Sequence, residues 1–230
     1  MNGLSLAPAA ARTLRALSRL LSYPTTDTLR HLPLIAETLH DERALSTATL
    51  DRLQALLDRL AATPALELEA DYVERFDRGR STSLHLFEHV HGDSRERGPA
   101  MIDLAQTYAS TGLYLAADEL PDYLPAALEF ASTLPPQQAR EFLGEMTHIL
   151  NSIHAALVEQ HSDYTALFDA LLELAGSSAQ PVTAAAELPL DAVWDEPPAF
   201  AGCSSPGQSL PQSRPAQPIH IVRSSAPRGV

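Results

Sequence analysis

From residue 9 to residue 175, apolar side chains return every three or four positions, and no window alternates in twos. That spacing predicts helices and excludes a half-buried sheet. Leu14, Leu17, Leu20 and Leu21 share one face, and Pro24 ends the segment. Residues 25–40 form a second segment, with Pro33 as a kink or break. Ser46 is placed to cap a third, whose stripe is Leu50, Leu53, Leu57 and Leu60 before Pro64. Leu68, Tyr72 and Phe76 follow at i, i+4, i+8. A short helix over 82–90 is closed by Gly92. The stretch 98–120 begins with Pro99, suited to a first turn, and buries Met101, Leu104, Ala105 and Tyr108. Residues 121–134 follow a Pro-defined turn. Residues 135–161 read as the longest helix, aligning Phe142, Met146, Ile149, Ile153 and Leu157. Residues 163–176 close the set at Gly176. The expectation is an all-α fold: one compact domain over 1–175 of about eight or nine helices, with no repeat period.

Composition changes at Gly176. Nine of the 18 prolines lie in 176–230, among Ser, Gln, Ala and Gly. Such a stretch buries too little surface to offset its ordering entropy, so a largely disordered tail is expected. Its exception is residues 188–200, "LPLDAVWDEPPAF", which hold Trp194 and Phe200 and read either as a docking segment or as plain linker.

The chain carries 16 basic and 29 acidic residues, net −13, and all 16 cations are Arg. Nucleic acid and anionic membrane surfaces are poor partners for such a charge; a basic peptide is a good one. The single cysteine, Cys203, excludes an internal disulfide and a Cys-based zinc site. The N-terminus lacks the pattern of a signal peptide, and no stretch nears the roughly 20 apolar residues of a membrane span. A cytoplasmic protein is expected.

Three histidines fall in "HLFEHVHGDSRERG" (85–98). On a helix, His85 and His89 share a face, as two metal ligands would, but Leu86 stands where a zincin glutamate belongs, and no third ligand is signalled elsewhere. Half-buried histidines on an amphipathic helix are the preferred reading. Cys203 has no rigid surroundings to activate it, and no nucleophile elbow or Gly-rich phosphate loop occurs. In "DELPDYLP" (118–125), two prolines stiffen a turn that gathers Asp118, Glu119 and Asp122 beside Tyr123. That turn is either a capped connection or a surface for a peptide bearing Arg and apolar side chains.

Together these stretches carry a resemblance. "YVERFDRGRSTSLHLFEHVHGDSRERGPAM" (72–101) and "ELPDYLPAALEF" (119–130) resemble the signature of the nitrate reductase delta-subunit, or NarJ-type, assembly chaperones. The matching positions are Phe76, Asp77, Arg78 and Arg80; then Gly92, Asp93, Arg95, Arg97 and Gly98; then Glu119 through Pro125, with Pro121 inside it, and Leu128, Glu129 and Phe130. "WDEPPAF" (194–200) looks like the acidic end of such proteins. The family carries aromatics where His85, His89 and His91 stand, so these read as substitutions in an aromatic wall.

The resemblance implies an all-helical, non-enzymatic cytoplasmic chaperone, related to the TorD-type chaperones and without a resident cofactor. Its implied partner is the N-terminal segment of the nitrate reductase alpha subunit, a remnant of a twin-arginine leader, bound within the apo alpha–beta complex until molybdenum cofactor is inserted. Molybdenum cofactor biosynthesis proteins are further candidate partners. On this reading Tyr72, Phe76, Tyr108, Tyr114, Glu119, Asp122 and Tyr123 line the client groove. Asp77, Arg80, Gly92, Asp93, Arg95, Arg97, Gly98, Pro121, Pro125, Glu129 and Phe130 shape it. Two other readings stand beside it: a metal-dependent helical hydrolase using His85, His89 and His91, and a passive helical scaffold with a docking tail.

Overall fold

The computed structural model describes residues 9–91, 94–116 and 119–180. Expectations that fall on 181–230 (the tail, the 188–200 segment, Cys203) and on Gly92, Asp93 and Asp118 lie outside the described residues. Those described form eleven α-helices and one π-helical turn, with a single isolated β-bridge. None is long and apolar enough to cross a membrane.

Helices α1 (Ala11–Leu21), α8 (Leu124–Thr133) and α11 (Thr165–Leu174) form the centre. α1 buries Leu14, Leu17, Leu20 and Leu21, each contributing about 1.5–3 kcal/mol. It lies along α8, where the Ser18 hydroxyl donates to the Pro125 carbonyl at 2.9 Å. Its start has no side-chain cap of its own. Glu42, at the end of α3 (Leu32–Glu42), accepts from the backbone N–H groups of Arg12 and Thr13 instead. α4 (Thr47–Ala62) is capped twice. Ser46 accepts from the Thr49 N–H, and Glu173 of α11 accepts from the Ser46 N–H and from the Ser46 and Thr49 hydroxyls. The short α2 (Thr26–Arg30) precedes α3, with Pro33 in the first turn of α3, as its place in the sequence predicts.

The expected 27-residue helix over 135–161 is two. α9 (Pro136–Glu145) packs on α8, and α10 (Thr147–Glu159) on α11. At Met146 the backbone leaves helical angles (φ −97, ψ 8), and its N–H turns to the carbonyl three residues back. Gly144, just before, costs the helix about 1 kcal/mol relative to alanine and makes the interruption cheap. The expected helix over 98–120 is also shorter. α7 (Arg97–Ser110) stops at a Schellman motif: Gly112 has φ +84, its N–H reaches the Ala109 carbonyl, and the Leu113 N–H reaches that of Tyr108. Of its expected buried face only Tyr108 is fully buried; Met101, Leu104 and Ala105 are half-exposed. Gly176 ends α11 in the same way, as expected.

α5 (Ala65–Tyr72) runs into the π turn, Val73–Asp77, where the Arg78 N–H bonds to the Val73 carbonyl five residues back. Leu68, Tyr72 and Phe76 are all buried. The helix expected over 82–90 forms only at Leu86–Val90 (α6). His85 is extended and pairs with Tyr123 in the isolated bridge, so His85 and His89 are not two ligands on one helical face.

Candidate functional site

The C-terminal end of α1 leaves carbonyls without helical partners. The Leu21 carbonyl accepts from the Tyr72 hydroxyl at 2.9 Å, and Tyr72 in turn stands 3.0 Å from the Tyr123 hydroxyl. Two phenols from distant segments therefore close one helix end. Burial, with Tyr123 beside it, pushes the Tyr72 phenol up; burial also raises Tyr123. Both remain neutral donors.

Around this pair lies a cleft of about 560 Å³. One wall is Tyr23, just past α1, with Tyr72, Phe76 and Asp77. A second is Leu84 and His85. The third comes from the loop after α7 and its continuation: Ala116, Glu119, Leu120 and Tyr123. The rings run in series. Tyr23 meets Tyr72 edge-on at 5.5 Å, Tyr72 meets Phe76 at 5.0 Å, and Phe76 meets the buried Tyr164 at 5.2 Å. Tyr164 is itself held by the Arg59 guanidinium, 5.5 Å over its ring, and burial pushes its phenol up to about 12. On the opposite wall His85 lies 5.4 Å from Tyr123. The surface is aromatic, with carboxylates of Asp77 and Glu119 at its edge.

Beneath Tyr123 the Asp122 carboxylate is fully buried. It accepts from the Phe87 N–H at 3.3 Å, from Arg97 Nη2 at 3.3 Å, and faces His85 Nδ1 at 3.2 Å. Its backbone carbonyl accepts from the Leu86 N–H at 2.8 Å, and the Leu124 N–H donates to the Leu84 carbonyl at 2.8 Å. The bridge and the carboxylate thus lock segment 84–87 to segment 122–124. The hydrogen bond to Asp122 outweighs burial and holds the His85 imidazole above its ordinary pKa. Arg97 also approaches Glu88 at 3.6 Å.

Of the seven residues expected to line a groove, the cleft gathers Tyr72, Phe76, Glu119 and Tyr123. Asp122 sits under the wall rather than on it. Tyr108 is fully buried; it donates to the Pro121 carbonyl at 2.9 Å and stacks on Phe130 at 4.6 Å. Tyr114 is 80% exposed and outside the lining. Among the residues expected to shape the groove, Arg97 ties α7 to Asp122. The Pro121 and Pro125 carbonyls accept side-chain hydroxyls, and Phe130 is core. Arg80, Arg95, Gly98 and Glu129 are exposed, and Asp77 faces the cleft.

The three histidines go separate ways. His85 turns to Asp122, His89 Nε2 lies 2.8 Å from the Ser83 carbonyl, and His91 meets Phe87 edge-on at 5.3 Å. Among the described residues no three His, Cys, Asp or Glu side chains converge to hold a metal. Sequence reasoning missed Tyr23, Leu84, Ala116 and Leu120 as cleft residues. The available signal was Tyr23 in "SYP", an aromatic ring between a helix end and a proline, and the 47% exposure of Leu120 beside Pro121.

The nitrate reductase delta subunit family matches residues 42–169. The nitrate reductase molybdenum cofactor assembly chaperone NarJ of Escherichia coli (strain K12) is 40% identical over 189 residues, 78% of this chain and 80% of its own length. The "Probable nitrate reductase molybdenum cofactor assembly chaperone NarW" of the same strain is 40% identical over 193 residues, 80% of each chain. The crystal structure of a "Putative Redox Enzyme Maturation Protein" from Archaeoglobus fulgidus aligns with TM-score 0.52 and 18% identity, over 77% of this chain and 100% of that one, a likeness of fold.

Proposed function

Because the chain belongs to the nitrate reductase delta subunit family, we propose that it acts as a NarJ-type assembly chaperone serving molybdenum cofactor insertion into a respiratory nitrate reductase. Its client is the catalytic alpha subunit of that enzyme, held in the cytoplasm as an apo alpha–beta complex. The segment grasped is the N-terminal leader remnant of alpha, and the aromatic cleft grasps it. The cofactor is cargo of the client, not a resident of this chain.

One observation carries the reading: a cleft of about 560 Å³ with tyrosine walls and a carboxylate edge, on a chain of net charge −13. Apolar client side chains gain from leaving water against Tyr72, Phe76 and Leu84, while basic ones meet negative charge. Both wall segments are anchored from below, by the Tyr72–Leu21 and Asp122 hydrogen bonds, so little ordering entropy is left to lose on binding.

Calorimetric titration with a synthetic peptide of the alpha-subunit N-terminus tests this. Tyr123→Ala removes one wall at a half-buried position and is expected to weaken binding about tenfold or more. Unchanged affinity in a folded Tyr123→Ala protein would place the client elsewhere.

A further inference from the structure

The carboxylates around the cleft are mostly engaged. Asp71 holds Arg75 at 2.8 Å, Glu74 holds Arg78 at 2.7 Å, Glu88 approaches Arg97, and Asp122 is buried under three partners. Asp77 is different. It is exposed, it lines the cleft, and among the described residues it makes no ion pair or side-chain hydrogen bond. The two arginines that precede and follow it, Arg75 and Arg78, are turned away to Asp71 and Glu74.

What faces Asp77 across the cleft is a set of phenol rings. Burial is the first reason that Tyr23, Tyr72 and Tyr123 have raised pKa values, and the Asp77 charge adds to it at all three. One unneutralised carboxylate therefore stands within electrostatic reach of three aromatic side chains. A cation is attracted to the face of a tyrosine ring and to a carboxylate at once. A guanidinium suits both, since its planar group lies flat on a ring while its edge presents paired N–H donors to two carboxylate oxygens. Resting on the leader-binding reading above, we infer that Asp77, with the rings of Tyr23, Tyr72 and Tyr123, forms a subsite for one arginine guanidinium of the client segment, next to the apolar part of the cleft at Phe76, Leu84 and Leu120.

The subsite makes Asp77 a specificity residue, separable from the residues that hold the cleft together. Its substitution by Asn keeps the shape, removes the charge and breaks no hydrogen bond or ion pair among the described residues. The test uses the full chain and two synthetic peptides of the alpha-subunit N-terminus: the natural one, and one in which arginine is replaced by citrulline, which keeps the planar group and loses the charge. The unmodified protein is expected to prefer the arginine peptide by about five- to tenfold. Asp77→Asn should reduce that preference to within twofold while binding the citrulline peptide as the unmodified protein does, and Asp77→Glu should restore part of it. If Asp77→Asn discriminates as strongly as the unmodified protein, or if Glu119→Gln alone abolishes discrimination, the subsite is overturned while leader binding stands. If neither peptide binds the unmodified protein, the leader-binding reading fails and takes the subsite with it.

Discussion

Asp122 and Arg97, 25 residues apart in the chain, meet with 3.3 Å between carboxylate Oδ2 and guanidinium Nη2, and the carboxylate is wholly shielded from solvent. This contact ties the start of α7 to the start of α8. Truncating the carboxylate strands the Phe87 N–H and the Arg97 guanidinium together. Asp122→Ala is expected to lower stability by about 3–5 kcal/mol, and Asp122→Asn, which keeps an acceptor, by about 1–3 kcal/mol. Urea unfolding of the two variants gives the ranking, and equal losses would contradict it.

His85 gains Asp122 as a partner on folding, which raises its pKa above the unfolded value of about 6.5. A raised folded pKa means that the stabilisation is fully present below the unfolded pKa and is lost as pH climbs through the folded one. Unfolding free energy should therefore decline as pH goes from about 6 to about 8. His85→Gln should flatten that decline. An unaltered pH slope in His85→Gln would assign the dependence to another group.

The two cleft phenols are not equivalent. Tyr72 donates to the Leu21 carbonyl and has Tyr123 as its second partner. Tyr72→Phe leaves a helix-terminal carbonyl without its donor and should cost about 1–2 kcal/mol; Tyr123→Phe leaves that bond in place and should cost less than about 1 kcal/mol. Chemical denaturation of both single variants decides the order.

Glu173 joins α11 to the start of α4 through the Ser46 N–H and two hydroxyls. Glu173→Ala should cost about 1–2 kcal/mol, in the range of a lost helix cap. Ser46→Ala alone should cost less, since Glu173 still reaches the backbone N–H of residue 46. Thermal unfolding of the two variants compares them.

Client affinity should fall as salt rises from low to physiological ionic strength, where exposed charges beyond about 8 Å are screened. The dependence should be shallower in Asp77→Asn. Calorimetry across a sodium chloride series measures both slopes, and identical slopes would argue against a charge contribution from Asp77.

The helices were legible because their signals are local: periodic leucines, Ser46 before a helix start, Pro33 in a first turn, Gly176 at an end. The breaks at Met146 and Gly112 were harder, since apolar spacing continues through both and only the packing of neighbouring helices separates the segments. The site was legible in part. Spacing marks Tyr72, Phe76 and Tyr108 alike as facing something apolar, but it does not tell a cleft wall from a core. Tyr108 went to the core because Pro121 and Phe130 enclose it. Asp122 looked like surface charge because it stands in an acidic, proline-bound turn. Its partners come from residues 85, 87 and 97, and no local pattern announces a carboxylate satisfied from that distance.

The π turn at Val73–Asp77 gives α5 one residue more than a regular helix would hold over the same rise. Deleting a single residue there would wind the turn back to a regular helix and swing all that follows by about 100°. Leu68 and Tyr72, upstream, would keep their places against the core, while Asp77 would leave the cleft. The chain can therefore lose its charge selectivity by a one-codon deletion that leaves its apolar pattern intact, and a comparison of related sequences that closes this gap silently would pair the wrong carboxylates.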